Sequence, residues 1–105
     1  MDHRLITYRA KPETMAEHER LIRGVFEELQ TVAPGSVRYA VLRLDDDTFV
    51  HVVATEPGGF SVPSLDAFKR FQEGIDERRS TPVESRGATV VGNYRMLGDQ
   101  SAVSS

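Results

Sequence analysis

The side chains with which this 105-residue chain could do chemistry are few: three histidines, three tyrosines and no cysteine. Without cysteine there is no thiolate nucleophile and no disulfide. His3, His18 and His51 do not fall at a metal-ligand spacing such as H-x-x-x-H, so a metal would need them to converge in space. His3 stands near the N-terminus and reads as solvated. His18 sits at the edge of an apolar helical stripe and reads as a satisfied boundary residue. His51 is different: it lies among valines in T-F-V-H-V-V, where an imidazole must find a partner or cost stability. A pKa near neutrality would suit it to proton transfer. A structural histidine bonded to its neighbours is the rival reading.

A pocket around His51 can be drawn from the pattern. Val37 to Leu44 and Thr48 to Thr55 are two β-rich runs around Asp45-Asp46-Asp47, which reads as a hairpin. If Arg43 closes opposite Phe49, then Val41 faces His51 and Tyr39 faces Val53, all on one side of the sheet. A slip of one residue would separate Tyr39 from His51. In this arrangement His51 is the candidate catalytic residue, accepting a proton from a phenolic ligand whose ring Tyr39 orients. Phe68 and Phe71 would form an apolar wall and Phe60 a lid, with Asn93 a further polar candidate. The three aspartates lack the alternating ligands, glycine and distal glutamate of a calcium loop, so they read as a solvated turn. Gly58-Gly59 is too far from a helix start to cradle phosphate, and there is no nucleophile elbow, P-loop or dinucleotide fingerprint.

The elements that must hold these residues follow in order. Leu5 to Ala10, starting near His3, is a first strand with apolar groups on both faces. Thr14-x-x-Glu17 fits a capping box. Met15, His18, Leu21, Ile22, Val25, Phe26, Leu29 and Val32 then make one helical stripe, which Pro34-Gly35 ends. Ser36 to Leu44 and Thr48 to Thr55 are the hairpin strands. Glu56 to Pro63 is a loop, and Ser64 can cap a second helix bearing Leu65, Phe68, Phe71 and Ile75, with a polar end at Asp76 to Arg79. Gly87 to Leu97 is the expected last strand, and Gly98 to Ser105 a disordered tail. One domain, residues 1–97, is expected. The order β-α-β-β-α-β with right-handed crossovers gives an α+β, ferredoxin-like fold: a four-stranded antiparallel sheet, order 4-1-3-2, with both helices on one face. The other face would expose an apolar patch, which predicts a partner there, a second copy of the chain.

The stretch carrying Arg38, Tyr39, Val41, Arg43, Asp45, Asp46, Thr48, Phe49 and Val50 resembles the hairpin of the dimeric α+β barrel proteins, and most closely their antibiotic-biosynthesis-monooxygenase-like branch. Lys11-Pro12, Pro34-Gly35 and Phe68-x-x-Phe71 fit the same resemblance, which spans about residues 3 to 96. It implies a homodimer with facing sheets. It also implies a range of activities: oxidation of aromatic polyketides without metal or flavin in some members, haem cleavage in others. The haem-cleaving members combine an asparagine on the first strand with a tryptophan and a histidine around the second helix. Here those places hold His3, Val62 and Gln72, and the chain has no tryptophan. No haem, metal or other cofactor is therefore expected.

Composition narrows the alternatives. The net charge of -3 disfavours non-specific nucleic-acid binding. RNA-recognition modules share this element order, but their third strand carries a basic residue, a glycine and two aromatics, where this chain has one aromatic and neither Lys nor Arg. No apolar run approaches a membrane span and no signal-peptide core is present, so a cytoplasmic protein is expected. Two functions remain open: a cofactor-independent oxygenase-like dimer, and a non-catalytic dimer that binds a small molecule or serves structure.

Overall fold

The computed structural model describes residues 1–96. Its strands are β1 (Asp2–Arg9), β2 (Val37–Arg43), β3 (Thr48–Thr55) and β4 (Glu84–Ala88); its helices are α1 (Met15–Val32), α2 (Asp66–Gln72) and α3 (Ile75–Arg78). The strands form one antiparallel sheet in the order β2-β3-β1-β4, with β1 and β3 central as their doubly apolar sequences require. The hairpin closes with Arg43 opposite Phe49, Val41 opposite His51 and Tyr39 opposite Val53. Asp47 takes a left-handed conformation at the turn, and Asp46 accepts a hydrogen bond from the Thr48 N–H.

One side of the sheet meets the helices. Tyr8 and Phe49 pack there against Met15, Ile22 and Val25 of α1 and Phe71 of α2 to form the core. The first two helix starts differ from expectation. Thr14 makes no capping hydrogen bond, its buried Oγ1 has no partner, and Glu17 pairs with Arg20 instead. Proline-containing tight turns at Pro12–Thr14 and Val62–Ser64 precede α1 and α2, which places Thr14 and Ser64 inside a turn rather than extended before a helix. Ser64 bonds back to Ser61, and the Ala67 N–H donates to Glu28 of α1. The expected single second helix also breaks: Gly74, at φ 73°, turns the chain between α2 and α3.

The last strand is Glu84–Ala88 rather than Gly87 to Leu97. Pairing explains the shift. The chain reaches the end of β1 as soon as α3 finishes, where Ala10 bridges Arg79 and the Ser80 N–H donates to Arg9. Running antiparallel from there, it has passed most of β1 by Ala88, which pairs with His3. Val91 and Tyr94 are consequently exposed beyond the sheet. Leu97 and the proposed tail from Gly98 lie outside the described residues. Among the described residues, no helix is long and apolar enough to cross a membrane.

Candidate functional site

Five side chains from five elements meet inside the core. Tyr8 comes from β1, His51 from β3, Tyr39 from β2, His18 from α1 and Arg78 from α3. Ile6 pairs with His51 across β1 and β3, so Tyr8, two residues on, lies on the same face beside the imidazole. On α1, His18 lies between buried Met15 and Ile22 at helical spacing, so the stripe itself drives it inward.

These side chains form a continuous line. Arg78 Nε donates to His18 Nδ1 at 3.0 Å. His18 Nε2 lies 2.6 Å from Tyr8 Oη, and Tyr8 Oη lies 2.8 Å from His51 Nε2. His51 Nδ1 lies 2.7 Å from Tyr39 Oη. His18 is 0% exposed and His51 3%. Arg78, also buried, meets its desolvation with neutral partners: Nη1 donates to the Glu73 carbonyl, Nη2 to that of Phe71, and its guanidinium carbon lies 5.6 Å from the Phe71 ring centre.

Burial governs the protonation of this line. It pulls His51 down to about 4, with His18 adding to the effect. It likewise lowers His18 to about 4, helped by the adjacent Arg78 charge. Desolvation raises both Tyr8 and Tyr39 above the ordinary phenol range. At neutral pH the two imidazoles and two phenols are therefore uncharged, and His51 lies below the near-neutral pKa that would suit it to proton transfer.

The line ends at a cavity of about 500 Å³ between the sheet, α2 and the 56–63 loop. Tyr8, Tyr39 and His51, joined by their hydrogen bonds, line it, with Phe60, Phe68 and Phe71 among its apolar walls. Phe60 is held by its N–H, which donates to Ser36 Oγ. Gly59 packs so tightly on Ser36 that an added Cβ would lie 2.7 Å from its side chain. Tyr39, His51, Phe60, Phe68 and Phe71 are thus brought together. Asn93 is beyond β4 and is not among the cavity-lining residues.

Sequence reasoning did not single out Tyr8, His18 or Arg78 for this site. The stripe carried the signal for His18, flanked by Met15 and Ile22. Arg78 gave none, because the break at Gly74 turns an apparent polar helix end back into the core.

No protein-family model matches the sequence, and no curated protein matches it. Solved structures do. A candidate antibiotic biosynthesis monooxygenase from Caulobacter crescentus superposes with a TM-score of 0.71 at 12% identity, covering 87% of this chain and 90% of its own. One from Nitrosomonas europaea gives 0.71 at 12% identity, covering 88% and 100%. A conserved protein from Methanosarcina mazei gives 0.67 at 18% identity, covering 84% and 91%. In structure, the chain is similar to the antibiotic-biosynthesis-monooxygenase-like proteins. At these identities the likeness establishes the fold.

Proposed function

We propose that the chain binds a small, largely apolar ring molecule bearing one oxygen substituent, and that it promotes oxidation of that molecule by dioxygen without metal or flavin. The observation that carries this reading is the cavity itself: Phe60, Phe68 and Phe71 line it together with the hydrogen-bonded Tyr39 and His51. Phe60, Phe68 and Phe71 would hold the ring, and Tyr39 would meet its oxygen. Names given to the structurally similar proteins from Caulobacter and Nitrosomonas agree with such a reaction. Both His51 nitrogens already bond to tyrosines, so His51 would act on the ligand through Tyr39 rather than by touching it.

With 1-naphthol the balanced reaction is naphthol plus dioxygen to 1,4-naphthoquinone plus water. One oxygen atom enters the ring and the other leaves as water. The test is to incubate protein and 1-naphthol in air, following dioxygen uptake and quinone absorbance. Turnover above the protein-free rate, lost in Tyr39→Phe, supports the oxygenase reading. Saturable binding without turnover selects the second reading, a non-catalytic binding module. The low pKa of His51 favours that second reading, since no group in the line is a strong base at neutral pH. Failure to bind sinks both.

The same proposal includes a homodimer formed through the open sheet face. Leu5, Leu42, Val50 and Val52 lie on that face, and Leu42 is 55% exposed.

A further inference from the structure

We infer that the buried line runs in one direction only, from Arg78 to Tyr39, and that it makes the cavity select a ligand oxygen that accepts a hydrogen bond, such as a carbonyl or a phenolate. This deepens the binding reading above and rests on it.

The direction follows from what each group can give. A guanidinium donates and cannot accept. His18 Nδ1 must therefore be the acceptor of the Arg78 Nε–H, and is bare. A neutral imidazole then carries its proton on Nε2, which donates to Tyr8 Oη. The Tyr8 hydroxyl passes its own hydrogen to His51 Nε2. His51 in turn must hold its proton on Nδ1 and donates it to Tyr39 Oη. The Tyr39 hydrogen is left for the cavity, which Tyr39 lines.

The alternatives cost more. Running the line backwards would strip His18 of both ring protons and make it an anion. Protonating His18 on both nitrogens would set its Nδ1–H against the Arg78 Nε–H. Breaking the line at Tyr8, with both imidazoles donating to it, would turn the Tyr8 proton away from both of its imidazole neighbours in a residue only 3% exposed. The low pKa values of both histidines agree with the neutral arrangement. Arg78 is accordingly a positioning residue: it touches no ligand, yet it fixes which hydrogen faces the cavity.

Three bicyclic probes of similar size test this: 1-indanone, which accepts; indole, whose N–H donates; and indane, which does neither. The expected result is 1-indanone binding about 3- to 10-fold tighter than indane, the range of one net hydrogen bond, with indole no tighter than indane. Tyr39→Phe should abolish the difference. Arg78→Gln, whose amide can accept as well as donate, should narrow the gap between 1-indanone and indole, and Arg78→Lys should restore it. Independently of any variant's folding, nitrogen-15 imidazole spectra of the wild-type chain should show His18 protonated at Nε2 alone and His51 at Nδ1 alone. His51 protonated at Nε2, or indole preferred over 1-indanone, overturns this inference while leaving the binding reading standing. No binding of any probe overturns both.

Discussion

Tyr39 Oη lies 2.7 Å from His51 Nδ1, although the two residues are not opposite one another: Tyr39 pairs with Val53, and His51 with Val41. The contact is diagonal across β2 and β3, a separation that a long aromatic side chain can span. It fixes the tilt of the imidazole, and through it the position of Tyr8. Phe26 of α1 packs on Tyr39, with ring centres 4.9 Å apart, so the phenol is held by ring packing as well as by its hydrogen bond.

Tyr39→Phe keeps that packing and removes only the hydroxyl. A buried His51 N–H then has no acceptor, at a cost of about 1–3 kcal/mol. For a domain of this size the melting temperature should fall by roughly 4–8 °C per kcal/mol. Tyr8→Phe should cost more, because the Tyr8 hydroxyl serves two imidazoles. Thermal unfolding followed by circular dichroism checks the order. A Tyr8→Phe chain as stable as Tyr39→Phe would contradict the continuous line.

Acid should weaken the fold through the two buried histidines. Their folded pKa values lie near 4, against 6.5 for a free imidazole. Between those values the unfolded chain binds more protons than the folded one, so stability falls as pH drops. It is fully present above about pH 6.5, and each histidine removes up to about 1.4 kcal/mol per pH unit below that. The groups facing them do not reverse the sign: Arg78 further lowers His18, Glu19 only partly opposes that, and His18 lowers His51. Urea unfolding at about pH 7.5 and about pH 5 measures the loss. Equal stability at both would show that the histidines are not buried as neutral groups.

The legible and illegible parts of the sequence divide by range of interaction. The hairpin register could be derived because a tight turn and strand alternation fix it locally, and with it came the placement of Tyr39 and His51 on one face of the sheet. The aromatic walls followed from helical spacing. Two capping assignments did not hold, because proline-containing turns reset the geometry of Thr14 and Ser64. β4 was displaced because its limits are set by the length of β1, not by its own residues. Arg78 was hidden because a buried cation looks, in sequence, like any exposed one.

Glu28 offers a local test of how α2 is held. Its carboxylate accepts the Ala67 N–H at 2.8 Å, capping from α1 a helix that no residue of its own caps. Glu28→Ala should cost about 0.5–2 kcal/mol. Because α2 carries Phe68 and Phe71, probe binding should weaken as well. Glu28→Gln keeps an acceptor oxygen and should recover most of both losses. Amide hydrogen exchange resolves the effect: faster exchange confined to α2 is expected, and unchanged exchange there would show that the contact does not cap the helix.

The open sheet face gives the last prediction. Leu42 pairs with Val50, and Val52 with Leu5, so four apolar side chains adjoin on the face turned away from the helices. Its edges carry charge: Arg38 on β2, Glu84 and Arg86 on β4. An apolar centre with a charged rim suits a second sheet laid against it. A specific interface of this kind should bury at least about 1,000 Å² in total. Light scattering at micromolar concentration should then give twice the mass of one chain. Val52→Lys places a charge at the centre of the patch, where a dimer would have to desolvate it, so it should yield monomers. In a chain that is natively monomeric the same change would sit at a half-buried surface and alter the mass not at all. A wild-type chain that scatters as a monomer removes the dimer, while the cavity and the buried line, which lie on the other face of the sheet within one chain, stand unaffected.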